Sequence, residues 1–472
     1  MSWTVVITEA DFEMLRTALL RPDGAEHAAF LYAGVADAGP HRRLLVRRVV
    51  LVADEDFGPS PARTEWQIAP RALAHAAREC DEAGLALIWA HSHPLARRRV
   101  GLSPQDRATV VRAHPHLLDL VHGRPVAALV LGRECAAGEV WTPDGAAELT
   151  AVRVVGHHVR DVRPSPATLS AQDARFARQV RLLGEAGQQV LRGLHVAVVG
   201  VGGGGSLIMQ SLAHLGVGKL TALDFDHVDD SNLSRIVGAE PADARTRTLK
   251  VDVMRRMVGR IDPTIEFEGI EADITRQEDA RQAADADFVF LATDTMLARF
   301  AFNAIVSQFL VPGIVVGSKI VAGRGGRLDL VHVVDRPVLP GGPCLACAGA
   351  IEPNQLRLEQ VSEPERRAQR YADGPGAEAI AEPSVITLNS ISTSLATTDF
   401  LLLATGLMPA GADLSALSYY PLERALRRRS VQRVGGCRWC DPSAPNTRLA
   451  AGDLVPLPLG PGHRLPPLTP GP

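Results

Sequence analysis

Three groups of residues in this chain have types and spacings suited to bond making and breaking. The first is His91-Ser92-His93-Pro94, followed after the stretch 94–102 by Ser103-Pro104-Gln105-Asp106. Side chains alternate along a strand, so two histidines one residue apart at a strand end face the same way and can hold one metal. Asp106 supplies a third ligand and leaves a fourth position for water. Open three-ligand sites are catalytic rather than structural, and zinc lowers the pKa of its bound water to about 7. The alternative is a pair of buried histidines with Ser103 capping a helix that Pro104 begins.

The second group starts from an apolar run (Val196, Val198, Val199) that empties into Gly200-Val201-Gly202-Gly203-Gly204-Gly205. Apolar residues then switch to helical spacing at Ile208, Leu212 and Leu215, giving strand, glycine turn, helix. Gly200, Gly202, Gly203 and Gly205 let backbone approach a phosphate chain, and the helix start offers unpaired N–H groups to the anion. A further strand, Leu220 to Leu223, ends in Asp224, whose carboxylate can take ribose hydroxyls. By itself this pattern also fits any dinucleotide-binding unit. The residues around it shift the balance: Asp224-Phe225-Asp226, Ser231-Asn232-Leu233-Ser234-Arg235, Lys250, and Arg175-Phe176-Ala177-Arg178-Gln179 upstream. Two arginines and a lysine around one anion site suit a triphosphate better than a pyrophosphate cofactor.

The third group is Cys344 and Cys347 (CLAC) with Cys437 and Cys440 (CRWC). Two such knuckles read as a tetrahedral zinc site, with disulfides as the alternative; four thiolates leave no open position, so this zinc is structural. Cys80 and Cys135 are the remaining cysteines.

Elements able to position these groups follow from the periodicities. Residues 1–160 alternate strand and helix: Val5 to Thr8, Asp11 to Leu20, Leu44 to Val52, Pro70 to Ala83, and Leu85 to Ala90, the last delivering His91 and His93. The Pro/Ser-rich stretch 161–170 reads as a linker. A helix with Val251, Met254, Val258 and Ile261 on one stripe sets Lys250 beside the nucleotide. Asp287 to Ala292 is a buried strand ending in Thr293-Asp294, where the acid either serves the site or caps the next helix. Ile386 to Thr405 is an apolar helix on the sheet, Glu352 to Pro383 has the composition of a mobile loop, and Arg427-Arg428-Arg429 reads as a solvated helix face. His114, His116, His157 and His158 read as surface groups. The Pro/Gly-rich tail 446–472 reads as disordered.

With these residues in place, 171–445 resembles the ThiF/MoeB adenylyltransferases, the core shared with ubiquitin-activating enzymes. The shared features are an RxxRQ-type segment, GxGGxG, DxD, SNLxR, a downstream lysine, a TD pair and two CxxC knuckles. The resemblance implies a Rossmann-like domain with a mostly parallel sheet that uses ATP and magnesium to adenylate the C-terminal glycine of a ubiquitin-like protein. It further implies that Arg178 reaches the ATP of a neighbouring subunit in a homodimer, with a local salt bridge as the alternative. By the same resemblance Asp294 is expected to hold magnesium near the α-phosphate, where one carboxylate beside phosphate oxygens is enough. Where the family carries a second polar residue, SNLSRI has Ile236. A crossover loop is implied over 352–383, but no cysteine lies there, so activation is expected to end at the acyl adenylate.

Residues 1–160 resemble the JAMM (MPN or JAB) metalloproteases, an α/β domain, through a distant glutamate, HxHP and SxxD. That resemblance implies Glu26 as general base and Ser103 as a support for the developing oxyanion. The family spacer is shorter than 94–102, where Arg97-Arg98-Arg99 reads as a solvated loop or as a contact to a substrate tail.

The two resemblances together imply a bifunctional bacterial enzyme that activates a ubiquitin-like protein and matures or deconjugates it. Activation of a sulfur-carrier protein for biosynthesis is the alternative, and a protease whose nucleotide domain only holds the modifier is another. A conjugating enzyme or a sulfurtransferase would then be a partner. A net charge of −3 with 22% charged residues argues against a nucleic-acid or membrane-surface protein. The start of the sequence has no basic segment with an apolar core, and no long apolar run occurs, so the expected location is cytoplasmic.

Overall fold

The computed structural model describes residues 2–37, 41–56, 68–165, 173–322, 328–360, 383–409 and 411–459. It divides into two compact units, one of residues 1–169, 307–310 and 442–456, the other of 170–306, 311–441 and 457–472. No helix among the described residues is long and apolar enough to cross a membrane.

The first unit holds eight strands: β1 (Trp3–Thr8), β2 (Ala28–Ala36), β3 (Arg42–Leu51), β4 (Ala86–Ser92), β5 (Val126–Leu131), β6 (Ala136–Thr142), β7 (Gly145–Val155) and β8 (Arg160–Val162). Their order is β1-β3-β2-β4-β5-β6-β7-β8, and β1 also pairs with β7, so the sheet closes on itself. This barrel-like closure refines the expected α/β layer. Both faces are covered, which is why β4 and β5 are apolar without alternation. On β4, Ala86, Ile88 and Ala90 enter one core with Phe12 and Leu15 of the helix Glu9–Leu19. Leu87 and Trp89 enter the other, with Ala77 and Cys80 of the helix Pro70–Ala83 and Val110 and Leu117 of the helix Pro104–Leu120.

The second unit contains β9 (His195–Val199), β10 (Lys219–Leu223), β11 (Glu266–Ile270), β12 (Phe288–Leu291), β13 (Gly313–Ala322), β14 (Leu328–Val338), β15 (Ala416–Tyr420) and β16 (Ala425–Arg429). The order is β11-β10-β9-β12-β13-β14-β15-β16. The first five are mutually parallel and the last three antiparallel, so the expectation of a mostly parallel sheet holds for the nucleotide half alone. The helix Ile386–Thr405 packs its Phe400 against Phe288 and Phe290, with ring centroids 4.9 and 5.6 Å apart.

Three expectations need correction. Arg427, Arg428 and Arg429 lie exposed on the edge strand β16 and not on a helix, because pairing with β15 outweighs the propensity of a charge run. His114 is not a surface group: it is fully buried. Residues 446–456 of the tail are ordered. Asp453 N–H donates to Val35 at 2.7 Å, Ala450 N–H to Ser307 at 2.9 Å and Gly452 N–H to Gln308 at 2.9 Å. Gly34 permits the contact, since a Cβ there would stand 2.1 Å from the Ala450 carbonyl oxygen. Proline and glycine do not preclude order where backbone groups find partners. Within the expected mobile loop, Pro353–Gln360 is a helix, while 361–382, the linker residues 166–170 and the tail beyond 459 lie outside the described residues.

Candidate functional site

In the first unit β4 presents His91, and His93 follows it, held by its N–H bond to Leu131. Asp106 stands in the first turn of the helix Pro104–Leu120, where Ser103 and Asp106 form a reciprocal capping box: Ser103 N–H donates to Asp106 Oδ2 at 2.7 Å, and Asp106 N–H to Ser103 Oγ at 3.1 Å. Ser103 is thus a helix cap whose Oγ accepts an N–H and, among the described residues, donates to no acceptor. His91 Nε2 lies 3.2 Å from His93 Nε2 and 3.4 Å from Asp106 Oδ1, and His93 Nε2 lies 3.3 Å from Asp106 Oδ2. Ligands about 2.05 Å from a tetrahedral metal stand about 3.3 Å apart along each edge. The three side chains therefore form one face of a zinc-sized tetrahedron, and two ring nitrogens facing each other require a proton or a cation between them.

Glu26 Oε1 is 3.7 Å from His93 Nε2. Its neighbour His27 is locked to the histidine run by two bonds, His27 N–H to Ser92 Oγ at 3.1 Å and Ser92 N–H to the His27 carbonyl at 3.0 Å. Burial, reinforced by Asp106 and opposed by His93, pushes the Glu26 carboxyl up to about 7. Burial would raise Asp106 as well, but the His91 and His93 rings and the Ser103 N–H hold it well below the usual carboxylate range. Burial lowers His91, and the Asp106 hydrogen bond raises His93. Arg97 and Arg98 share Glu134 at 3.9 Å each, as a solvated loop would.

In the second unit the turn after β9 begins at Gly200, whose φ of 79° favours glycine. A Cβ on Gly205 would stand 1.8 Å from the Gly200 carbonyl oxygen, so this glycine serves the close approach of the helix Gly203–Leu215 to the turn. A Cβ on Gly203 would meet Asn389 at 2.5 Å and Arg235 at 3.1 Å, whereas Gly202 faces open space. Asp224 ends β10 and is buried, which raises its carboxyl against the pull of Lys250. Lys250 begins the helix Lys250–Ile261 and donates from Nζ to Asp226 at 2.6 Å, with Asp224 at 4.0 Å.

Two cavities meet at Phe225 and Asp226. One, of about 430 Å³, is lined by Gly200, Asp224, Thr293, Asp294 and Glu359 among others. The other, of about 360 Å³, is lined by Asp226, Ser231, Asn232, Arg235, Arg247 and Lys250. Asn232 Oδ1 is buried and has no partner among the described residues, so an acceptor stands ready there. Ile236, where the family carries a polar residue, is 4% exposed and belongs to the hydrophobic core. In the RxxRQ segment Arg175 is bound to Asp173 and Asp262, and Gln179 donates to Gln188 and Leu215. Arg178 is exposed and, among the described residues, makes no ion pair.

Two residues around the nucleotide cavities escaped sequence reasoning. Glu359 accepts the N–H groups of Met296 at 3.0 Å and Leu297 at 2.8 Å, capping the helix Met296–Phe309 beside Asp294. Arg247 lines the second cavity and takes its left-handed φ of 53° as the residue that caps the end of the helix Pro241–Thr246.

The four knuckle cysteines converge: Cys344 Sγ lies 3.8 Å from Cys347 and from Cys437, and Cys347 lies 3.5 Å from Cys440. These separations exclude disulfides and match the edge of about 3.8 Å for thiolates around zinc at 2.3 Å. Cys80 and Cys135 are buried, and burial pushes the Cys80 thiol up to about 12.

A glycine turn between a parallel strand and a helix, with acids at the ends of neighbouring strands, makes the second unit a Rossmann-like nucleotide-binding domain. The chain belongs to the ThiF family, whose sequence profile matches residues 176–415. It is 36% identical over 184 residues to molybdopterin-synthase adenylyltransferase of Escherichia coli (strain K12), a match covering 38% of this chain and 70% of that protein. It is 31% identical over 175 residues to the SAMP-activating enzyme E1 of Haloferax volcanii, covering 37% and 60%. The crystal structure of E. coli MccB with succinimide aligns with a TM-score of 0.46 at 17% identity, over 57% of this chain and 75% of that one. The chain spans 58% and 56% of the Haemophilus influenzae and Salmonella typhimurium molybdopterin-synthase adenylyltransferases.

Proposed function

We propose that the second unit uses ATP and magnesium to adenylate the C-terminal carboxylate of a ubiquitin-like or sulfur-carrier protein. The observation that carries this reading is the convergence of Gly200, Asp224, Asp226, Asp294, Arg235 and Lys250 on two joined cavities in a chain of the ThiF family. Relatives named as molybdopterin-synthase adenylyltransferase, SAMP-activating enzyme and uba4 adenylyltransferase and sulfurtransferase favour this substrate class. The glycine turn and the start of its helix receive the phosphate chain, with Asp224 toward the nucleoside and Asn232 beside Arg235 and Lys250 in the second cavity. Asp294 would hold the magnesium. The incoming carboxylate oxygen bonds to the α-phosphorus as the bond to the β-phosphate oxygen breaks, and Lys250, Arg235 and the Arg178 of a second subunit carry the charge leaving with pyrophosphate.

All six cysteines are accounted for, four in the knuckle cluster and two buried, so the adenylate passes to an external sulfur donor or to the thiol of another protein. Such an acceptor suits both sulfur transfer and conjugation.

The reading extends to the first unit as a zinc metalloprotease of the JAMM type acting at the C-termini of the same proteins, for maturation or deconjugation. The 3.2, 3.3 and 3.4 Å spacings of His91, His93 and Asp106 support it. Zinc held there would supply an acidified water and polarise a carbonyl. Glu26 takes the water proton and returns it to the leaving amine, and the Ser103 hydroxyl donates toward the oxyanion.

The decisive experiment is ATP–pyrophosphate exchange with a diglycine-ended ubiquitin-like protein, comparing wild type with Asp294→Ala. Exchange that disappears in the variant establishes the adenylating enzyme. Absence of exchange with every such protein leaves the nucleotide unit as a holder of the modifier. Cleavage of a C-terminally extended modifier by wild type but not by Glu26→Gln tests the first unit.

A further inference from the structure

His114 lies on the helix Pro104–Leu120, two turns beyond Asp106, and none of it is exposed. Its Nε2 accepts the indole N–H of Trp89 at 2.8 Å, and Trp89 stands two residues before His91 on β4. The ring also meets Trp89 and Trp141 edge-on, at 5.4 and 5.2 Å. Because Nε2 accepts, the ring proton resides on Nδ1, which has no hydrogen-bond partner among the described residues. A buried donor without an acceptor is costly, and a phenylalanine would fill the slot without one. The imidazole must therefore contribute something that an apolar ring cannot, and its distinctive feature is the directional bond to β4.

That bond joins the two elements that carry the metal ligands. The helix brings Asp106, and β4 and its end bring His91 and His93. Apart from the approach of Asp106 to His91 and His93, the helix packs on the helix Pro70–Ala83 and on β5 and β6, through an apolar cluster that includes Val110 and Leu117 and tolerates sliding. Pro115 follows His114 directly, so this turn lacks one bond of its own ladder and depends more on outside contacts. Metal ligands need placing to within about half an ångström.

We propose that His114 is a positioning residue for the metal centre, setting through Trp89 the register of the Asp106 helix against β4. The inference rests on His91, His93 and Asp106 being a metal site.

The test uses the full-length protein. Zinc affinity is measured by chelator competition for the equivalent that His91→Ala lacks, apart from the zinc of the cysteine cluster, and the visible spectrum of the cobalt-substituted protein, taken as the difference from His91→Ala, reports ligand geometry, for wild type, His114→Phe, His114→Gln and Trp89→Phe. His114→Phe and Trp89→Phe are expected to weaken zinc binding 10- to 100-fold, roughly the loss that outer partners of metal ligands produce, and to shift the cobalt bands. His114→Gln, whose amide oxygen can accept the indole N–H, is expected to recover most of both. Wild-type affinity and spectrum in His114→Phe would overturn the proposal even if thermal stability fell, since that pattern is a packing role alone. Should His114→Phe fail to fold, Trp89→Phe, which keeps an aromatic ring but removes the donor together with part of the buried indole, is read beside His114→Gln, whose near-wild-type affinity would then mark the bond and not the volume as what the site uses. Unchanged zinc content in His91→Ala would instead remove the metal site itself.

Discussion

Asp224 and Val201 are joined across two strands: the Asp224 Oδ2 accepts the Val201 N–H at 2.8 Å, closing the glycine turn after β9 onto the end of β10. Its Oδ1 accepts the Asp226 N–H at 2.8 Å, so one carboxylate shapes both the turn and the loop that leads to Lys250. Removing it strands a buried N–H, at a cost of about 1–3 kcal/mol. Asp224→Ala is expected to lose about that much stability in urea unfolding and to lower ATP–pyrophosphate exchange at least about 100-fold. Asp224→Asn keeps one acceptor oxygen and should fall between. Equal losses in the two variants would mean that charge, and not the geometry of the turn, is what the site uses.

Arg178 is exposed on the helix Ala177–Gly193 with no ion pair among the described residues, although Arg175 three residues earlier is tied to two aspartates. A cation left free in this way fits a role across a subunit boundary. If Arg178 serves the ATP of a second copy, Arg178→Ala and Lys250→Ala chains should each be nearly inactive. Mixed in equal amounts they should recover about a quarter of wild-type exchange, because half of the random dimers then hold one intact site of two. No recovery after exchange of subunits would confine Arg178 to its own chain.

The legible parts of this molecule were those in which chemistry dictates local spacing. The glycine turn at 200–205, the i, i+2 histidines at 91 and 93 with the SxxD that ends in Asp106, and the paired CxxC knuckles each impose a short-range pattern, and the structure brings each set together. What escaped was long-range. The pairing of Thr4 with Ala151 that closes the first sheet leaves no trace in either segment, because both read as ordinary buried strands. The arginine run 427–429 carries helix-compatible residues, but its conformation is set by Leu417 and Ser418 on the neighbouring strand. His114 is polar and isolated in sequence, and its burial depends on two tryptophans 25 and 27 residues away. Glu359 reaches the nucleotide cavity from a helix about 60 residues past the elements it serves.

The cysteine cluster gives a discriminating outcome. Sulfur atoms 3.5 to 3.8 Å apart are too far for disulfides and are right for thiolates on one zinc. The purified chain is expected to carry two equivalents of zinc, one of which Cys347→Ser loses with a fall in thermal midpoint, because structural zinc contributes folding energy directly. Treatment with dithiothreitol should leave the midpoint unchanged. A midpoint lowered by the reductant alone would restore the disulfide reading.

Two buried histidines make acid stability predictable. Burial holds His114 down to about 4, and burial with the nearby Lys219 holds His195 down to about 4 against the opposing pull of Asp285 and Glu266. In the unfolded chain both titrate at about 6.5. Between these values the unfolded state binds more protons than the folded one, so stability rises with pH across the window and is lost as pH falls from about 6.5 toward 4. Each histidine should cost its own unit about 2 kcal/mol on going from pH 7 to pH 5. Urea unfolding at the two pH values measures this. His114→Phe and His195→Asn should each flatten the dependence of the unit that carries it, whatever they do to stability at pH 7. A slope that persists unchanged in both variants would assign acid sensitivity to other groups and mean that these imidazoles accept a proton in the folded state.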